Sequence, residues 1–336
     1  MLTADNHNSV NGLRAFAEKA GSTFQYSGLL DYLTIDDENL AQILHSPNYN
    51  DHKLFAYPAQ SNASGVKHDL EWIMVAQKQG WDVLLDASAF VPTNKLDLSQ
   101  VKPDFVCLSF YKMFGYPTGI GCLLVRKSRF EKLKKNWFAG GTVRLASVKA
   151  CAHILQCNHE RFEDGTINYL GLPAVKTGLD FLNSIGMDRI EQRINSLQQY
   201  AVQNLRNLRH TSGKAIVEIY GPSDRSKCGG AITMSFQNPF GEKIDFRDIE
   251  AKAAAHGISL RAGCFCNPGV DEYYNDLPTE ILTSYFDNNS NGDYGHLLET
   301  TGLKRGAIRI SVGIASRVRD IDLFIAFAES WKDVLI

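Results

Sequence analysis

WDVLLDAS, residues 81–88, and DFVCLSFYK, residues 104–112, are two apolar runs that each end in a functional side chain, Asp86 in the first and Lys112 in the second. Short apolar runs bounded by polar residues predict strands buried on both faces, as in a parallel sheet. LFAYPAQSN (54–62) reads as an earlier strand running into a polar loop, and GIGCLLVRK (119–127) as a later one. Between the strands, DLEWIMVAQKQG (69–80) has helical spacing and stops at a glycine. Upstream, Val10, Leu13, Phe16 and Ala17 recur at helical spacing before Gly21, and Leu40, Ile43 and Leu44 repeat the pattern over 37–45. Strands alternating with helices predict an α/β layer with a mostly parallel sheet. Ligands in such sheets sit beyond the carboxyl ends of the strands, where Asp86, Ser109 and Lys112 fall.

Farther along, the pattern changes. Residues 172–209 form a long, polar, helical stretch, followed by AIVEIYG (215–221), GGAITMSF (229–236), a helix around 245–256 and a strand in GAIRISV (306–312). The segment 271–305 reads as loop, NNSNGDYG (288–295) being its most polar part. The expected organisation is a large domain over 1–185 and a smaller α+β domain over 186–336, joined by a connecting helix.

Bulk properties narrow the class of function. With 336 residues, 44% of them hydrophobic and 21% charged, the composition is that of a globular protein with a sizeable core. A formal net charge of −2 offers no electrostatic reason to bind nucleic acid or an anionic membrane. No apolar run is long enough for a spanning helix, and MLTADNHNSV (1–10) lacks a secretory leader's basic and apolar regions. The seven cysteines are odd in number and scattered, which fits a reducing, cytoplasmic setting better than a disulfide framework.

Several residues are candidates for chemistry. A partly desolvated lysine at the end of a strand, as Lys112 is read here, loses its proton readily and forms a Schiff base with an aldehyde cofactor; the plain alternative is a surface lysine. Asp86 suits pairing with a protonated pyridine nitrogen, or capping a turn. Cys264 and Cys266 lie in RAGCFCNPG (261–269), without the second pair that a structural zinc site needs, so no metal is expected. They read either as ordinary loop cysteines or as a nucleophile on a glycine-containing loop with Arg261 close by. If the stretch is extended, residues 264 and 266 point to the same side. The guanidinium of Arg309 suits a carboxylate held through two hydrogen bonds, or a surface ion pair. His7 is placed to stack on a flat ring or to cap the next helix.

Taken in order, His7, Asn62, Asp86, Ser109, Lys112, Thr166, Cys266 and Arg309 resemble the class V aminotransferase group, and within it the cysteine desulfurases. LFAYPAQSNASG (54–65), SFYKMFGYPTGIGCLLV (109–125), FAGGTV (138–143) and RAGCFCNPG (261–269) are similar to the desulfurase-like domain of molybdenum cofactor sulfurases, and the similarity covers nearly the whole chain. The resemblance implies fold type I of the pyridoxal 5'-phosphate-dependent transferases, with a large domain incomplete at its N-terminus and a small C-terminal domain. It implies that Lys112 carries the cofactor and moves the proton, Asp86 meets its ring nitrogen, and His7 stacks on the ring. Ser109 and Tyr111 would bind its phosphate, helped by Thr166 from the other subunit of a homodimer. Asn62 would sit beside cofactor and substrate carboxylate, Arg309 would grip that carboxylate, and Cys266 would take sulfur from L-cysteine as a persulfide. The sulfur would pass to molybdenum cofactor or a molybdoenzyme.

Some positions depart from the family pattern. Tyr111 stands where histidine is common, Ala89 where glutamine is common, and Gly269–Val270–Asp271 where a further cysteine is frequent. The family's usual opening, whose helix N-terminus holds part of the phosphate, does not precede Met1, and the sulfurases' C-terminal domain does not follow. An exposed apolar sheet face or edge is therefore expected. The rival readings are a related lyase (selenocysteine lyase, kynureninase-like, or a cysteine desulfurase serving iron–sulfur assembly) and a non-catalytic paralogue.

Overall fold

Six strands make the larger sheet: β1 (Leu2–Thr3), β2 (Tyr26–Ser27), β3 (Leu54–Pro58), β4 (Asp82–Asp86), β5 (Phe105–Ser109) and β6 (Gly121–Val125). Their spatial order is β2-β1-β3-β4-β5-β6, all parallel except β6, which pairs antiparallel with β5. The computed structural model describes residues 1–46, 52–303 and 305–335. The helices on this sheet are α1 (Asn8–Asn11), α2 (Leu13–Lys19), α3 (Asp37–His45), α4 (Glu71–Lys78) and α5 (Phe110–Phe114). The Asp36 carboxylate accepts the Asn39 N–H at 3.0 Å to start α3, and Asp37 and Glu38 add negative charge at the dipole's positive end. Leu40 and Leu44 on its inner face are fully buried, each worth about 2 kcal/mol by area. Trp81 ties that helix to the sheet by donating to the Leu44 carbonyl at 3.0 Å.

Lys112 does not end a strand, as its sequence suggests. β5 stops at Ser109, and Phe110–Phe114 form a short helix closed by Gly115 in the left-handed region (φ 81°). Phe110 and Phe114, four residues apart, stack with centroids 6.3 Å apart, a pairing the helical spacing favours. The glycine supplies the terminating conformation without a Cβ penalty.

The later residues build a second core. Helices α6 (Leu172–Ile185) and α7 (Met187–Asn207) replace the single helical stretch expected, because Gly186 breaks it with φ 91°. Strands β7 (Val143–Ser147) and β8 (Ala152–Leu155) form a separate hairpin. Strands β9 (Val217–Ile219), β10 (Ala231–Phe236), β11 (Arg261–Gly263) and β12 (Ala307–Ser311) form an antiparallel sheet ordered β11-β12-β10-β9. Against it pack α7, α8 (Phe246–Ala255) and α12 (Val318–Glu329), with Ile194, Ile232, Met234, Phe236, Ile249 and Trp331 at the centre.

The loop reading of 271–305 is overturned. Helix α9 (Pro268–Tyr274) runs into it, and α10 (Thr279–Asn288) and α11 (Tyr294–Thr301) lie within it; Lys304 is outside the described residues. Asp293, in the most polar part, caps α11 by accepting the His296 N–H at 2.9 Å, and Gly302 ends it at φ 65°. Tyr285 and Leu297 provide a narrow buried stripe that the polar composition hides.

Candidate active site

The carboxyl ends of the parallel strands and the second sheet face one another across a cavity of about 860 Å3. His7, Asn62, Tyr111, Lys112, Cys266 and Arg309 all line it, and so does Arg261. Its lining holds Lys112, Arg261 and Arg309 beside His7, and among the described residues no aspartate or glutamate, so it favours anionic ligands. Asp86 ends β4 just outside the lining, with one carboxylate oxygen accepting the Ser88 N–H at 3.0 Å. Ser109 also lies outside the lining, at the start of α5, where its side chain makes no capping bond. Thr166 is exposed in the segment before α6 and does not line the cavity.

Lys112 comes from α5, and its ammonium is held below the ordinary lysine range. Burial is the main cause, the Arg309 charge adds to it, and Asp86 works against it. His7 is likewise held toward the neutral imidazole by burial and by Lys112, with Asp86 opposing. Its Nδ1 accepts the Ser9 N–H at 3.1 Å, capping α1, so one residue both caps a helix and faces the cavity. Neutral Nδ1 acting as acceptor leaves the proton on Nε2.

Arg309, on β12, donates through Nη1 to the Asn62 carbonyl at 2.6 Å and lies 5.2 Å from the centre of the Phe265 ring. Its Nε is buried without a partner. Arg261 stands directly opposite it on β11. Two like charges facing across neighbouring strands repel, and burial together with Arg261 lowers the Arg309 pKa.

The cysteines do not lie on an extended stretch. Phe265 and Cys266 both occupy the left-handed region, at φ 58° and 54°, so residues 264–267 form a tight turn. Cys266 is exposed and lines the cavity, while Cys264 is less exposed and burial raises its thiol pKa. The Cys266 carbonyl accepts the Asn8 N–H at 2.8 Å, which fastens the turn beside His7.

Two residues organise this turn, one that the sequence reading did not single out and one that it noted only as a departure from the family pattern. Asn267 is fully buried, and its side chain caps α9, an arrangement signalled in the sequence by Asn-Pro at a helix start. Asp271, where the family often has a cysteine, is buried. Its carboxylate accepts from Arg305 Nε at 2.5 Å and from the Gly306 N–H at 2.7 Å, which ties α9 to the start of β12.

Comparison with known proteins agrees with this geometry. The family model described as aminotransferase class-V matches residues 1–324. Molybdenum cofactor sulfurase 3 of Aedes aegypti is 35% identical over 349 residues, covering 97% of this chain and 44% of that protein. The molybdenum cofactor sulfurase of Caenorhabditis elegans is 35% identical over 324 residues, covering 94% of this chain and 44% of that protein. The chain thus spans under half the length of these relatives. Among solved structures, the apo cysteine desulfurase of Thermococcus onnurineus NA1 superposes with a TM-score of 0.78 at 22% identity, covering 98% of this chain and 71% of that one. The cysteine desulfurase CsdA of Escherichia coli gives 0.75 at 20% identity, with the same coverage. These likenesses establish the fold of the pyridoxal-phosphate desulfurases. With the match over residues 1–324, they establish that the chain belongs to the class-V aminotransferase family.

Proposed function

We propose that this chain carries out pyridoxal-phosphate-dependent transfer of sulfur from L-cysteine to Cys266, and from there to an acceptor. One observation carries the reading: one acid-free cavity is lined by a lysine held below its ordinary pKa, a half-buried arginine whose Nε is unpartnered, and an exposed cysteine on a tight turn. The residues fit that cofactor and its substrate, since the surplus of positive charge suits a phosphate and a carboxylate together. Lys112 would hold the cofactor, Asp86 its ring nitrogen, His7 its ring face, and Ser109 with Tyr111 its phosphate. When bound, pyridoxal phosphate supplies an aldehyde for covalent attachment and an electron-withdrawing ring that acidifies the substrate's α-hydrogen.

The chain's own residues then have definite tasks. Arg309 holds the α-carboxylate of L-cysteine through the edge of its guanidinium that faces the cavity. Lys112, its ammonium held below the ordinary lysine range, takes and returns the proton at the α-carbon. The Cys266 thiolate attacks the substrate sulfur, forming an S–S bond as the C–S bond breaks with its electron pair left on carbon. The sum is Cys266 thiolate plus L-cysteine giving Cys266 persulfide plus alanine, balanced without an outside oxidant.

Molybdenum cofactor is the acceptor suggested by the relatives' names. The reading includes a homodimer, in which exposed Thr166 reaches a second copy's phosphate, a cytoplasmic setting, and a large unit over 1–185 beside a small one over 186–336. Borohydride reduction of the cofactor-loaded protein should fix the label on Lys112, and Cys266→Ser should lower alanine release under reducing conditions at least 100-fold, whereas Cys264→Ser keeps most of it. A label on another lysine, or the reverse behaviour of the two serine variants, overturns these assignments.

A further inference from the structure

We infer that Asn267 is a positioning residue: through Asn62 it fixes the Cys266 turn relative to Arg309, and so aligns the attacking sulfur with the held carboxylate. The inference rests on the sulfur-transfer reading for its functional consequence, and on geometry for the rest. Phe265 and Cys266 are consecutive non-glycine residues in the left-handed region, a conformation that persists only where surroundings enforce it. The enforcing bonds converge on one buried amide.

Asn267 is fully buried, and its Nδ2 donates to the Asp5 carbonyl at 2.7 Å and to Asn62 Oδ1 at 2.9 Å. Because Asp5 O is only an acceptor, the Asn267 amide has one orientation available. Asn62 must then present its oxygen to Asn267, which leaves its Nδ2 to donate to the Phe265 carbonyl at 2.8 Å. The backbone of the same Asn62 accepts from Arg309 Nη1 at 2.6 Å. Asn267 N–H closes the turn onto the Cys264 carbonyl at 2.9 Å. Thus one side chain sets the direction of a second, which holds the thiol's turn on one side and the arginine on the other. Asn62, which lines the cavity, thus also gives the site the placement of Cys266 and Arg309, with one amide hydrogen spent on the protein itself.

Asn267 also caps α9 by accepting the Val270 N–H at 3.3 Å, so a simple truncation would confound two roles. Serine separates them: Asn267→Ser keeps a capping oxygen but loses both Nδ2 donors. In the cofactor-loaded protein, Asn267→Ser should raise the rate of iodoacetamide alkylation at Cys266, read by peptide mass mapping, at least fivefold, with Cys228 unchanged. It should also lower kcat for alanine release at least tenfold while KM moves less than threefold. Alkylation within twofold of wild type in a folded Asn267→Ser protein would make the residue a helix cap and overturn the inference. If that variant does not fold, Asn62→Asp, which keeps the oxygen facing Asn267 and loses the donor to Phe265, gives the same decision on the same readout. Should wild type release no alanine, the sulfur-transfer reading fails, while the alkylation comparison still decides whether Asn267 holds the turn.

Discussion

Strands β3 and β6 belong to one sheet, yet four of five residues of β3 are buried and none of β6 is. The contrast extends beyond them. On the β3 side, the ends of the strands are locked by backbone-directed bonds from buried side chains such as Asn6, whose Nδ2 donates to the carbonyls of Thr3 at 2.9 Å and Ala56 at 3.0 Å. On the β6 side, Tyr116, Trp137, Leu145, Val148 and Leu170 are all more than half exposed. The segments that hold His7, Asn62 and Cys266 are thus tied to one another by buried side chains, whereas the wall beyond Lys112 presents apolar surface of the sort a partner covers. The exposed edge expected from the sequence lies here.

The sharpest way to break this comparison uses two glycines. A Cβ at Gly269 would run into the Ala4 carbonyl, backbone that cannot yield without moving β1's end or the cysteine turn. Gly269→Ala should cost about 3 kcal/mol or more in urea unfolding. Gly140, on the open side, has no atom within 4 Å of such a Cβ, and Gly140→Ala should change stability by less than about 0.5 kcal/mol. Equal effects would erase the distinction between sealed and open sides.

A smaller effect separates the sides by pH. Lys243, enclosed between Tyr220 and Asn275 with bonds of 3.0 and 2.9 Å, is pushed down to about 8, chiefly by burial. The unfolded chain, with a lysine near 10.5, binds this proton more tightly than the folded one, so Lys243 opposes folding below pH 8 and its penalty fades as pH rises toward 10. Stability of the wild type should accordingly rise from pH 8 to about 10, and Lys243→Met should flatten that slope in thermal melts. Above pH 10 the sign reverses, because Tyr57, Tyr274 and Tyr294 are buried and keep their protons when unfolded tyrosine loses them. A wild-type slope unchanged by the substitution would show that Lys243 is solvated.

The two sides also differ in how far they can be read from the sequence. Strands β3 to β5 and helices α3 and α4 are visible because continuous apolar runs and 3.6-residue spacing are local properties. Strands β1 and β2, two residues each, are too short to show a period and exist because neighbouring strands provide partners. Helices α10 and α11 escape notice because one buried residue apiece is enough to dock them. At the site, Lys112 and Cys266 stand out by chemistry and by resemblance, but the turn at 264–267 does not, since left-handed Phe265 and Cys266 carry no mark in residue type. Nor does the pairing of Asn62 with Asn267 across 205 positions, which is a product of tertiary folding alone.

The smallest expected change in stability, on the open side, is also the most telling about assembly. Leu145, on β7, is 63% exposed, and Val148, in the turn that follows, is 94% exposed. Neither side chain has much burial to lose, so Leu145→Glu with Val148→Glu should shift unfolding by under about 0.5 kcal/mol when the chain is measured dilute. In a homodimer that covers this surface, the same pair would bury two uncompensated carboxylates per copy, a cost of several kcal/mol at the interface. Sedimentation at micromolar concentration should then show dimer for wild type and monomer for the variant, with the thermal melt of the variant no longer rising with protein concentration. Identical sedimentation of the two would mean that the hairpin faces solvent in the assembly and that the cover of β6 lies elsewhere. Neither substitution touches Lys112 or the lining of its cavity, so a monomeric variant should still accept the borohydride label, which separates loss of the partner from loss of the site.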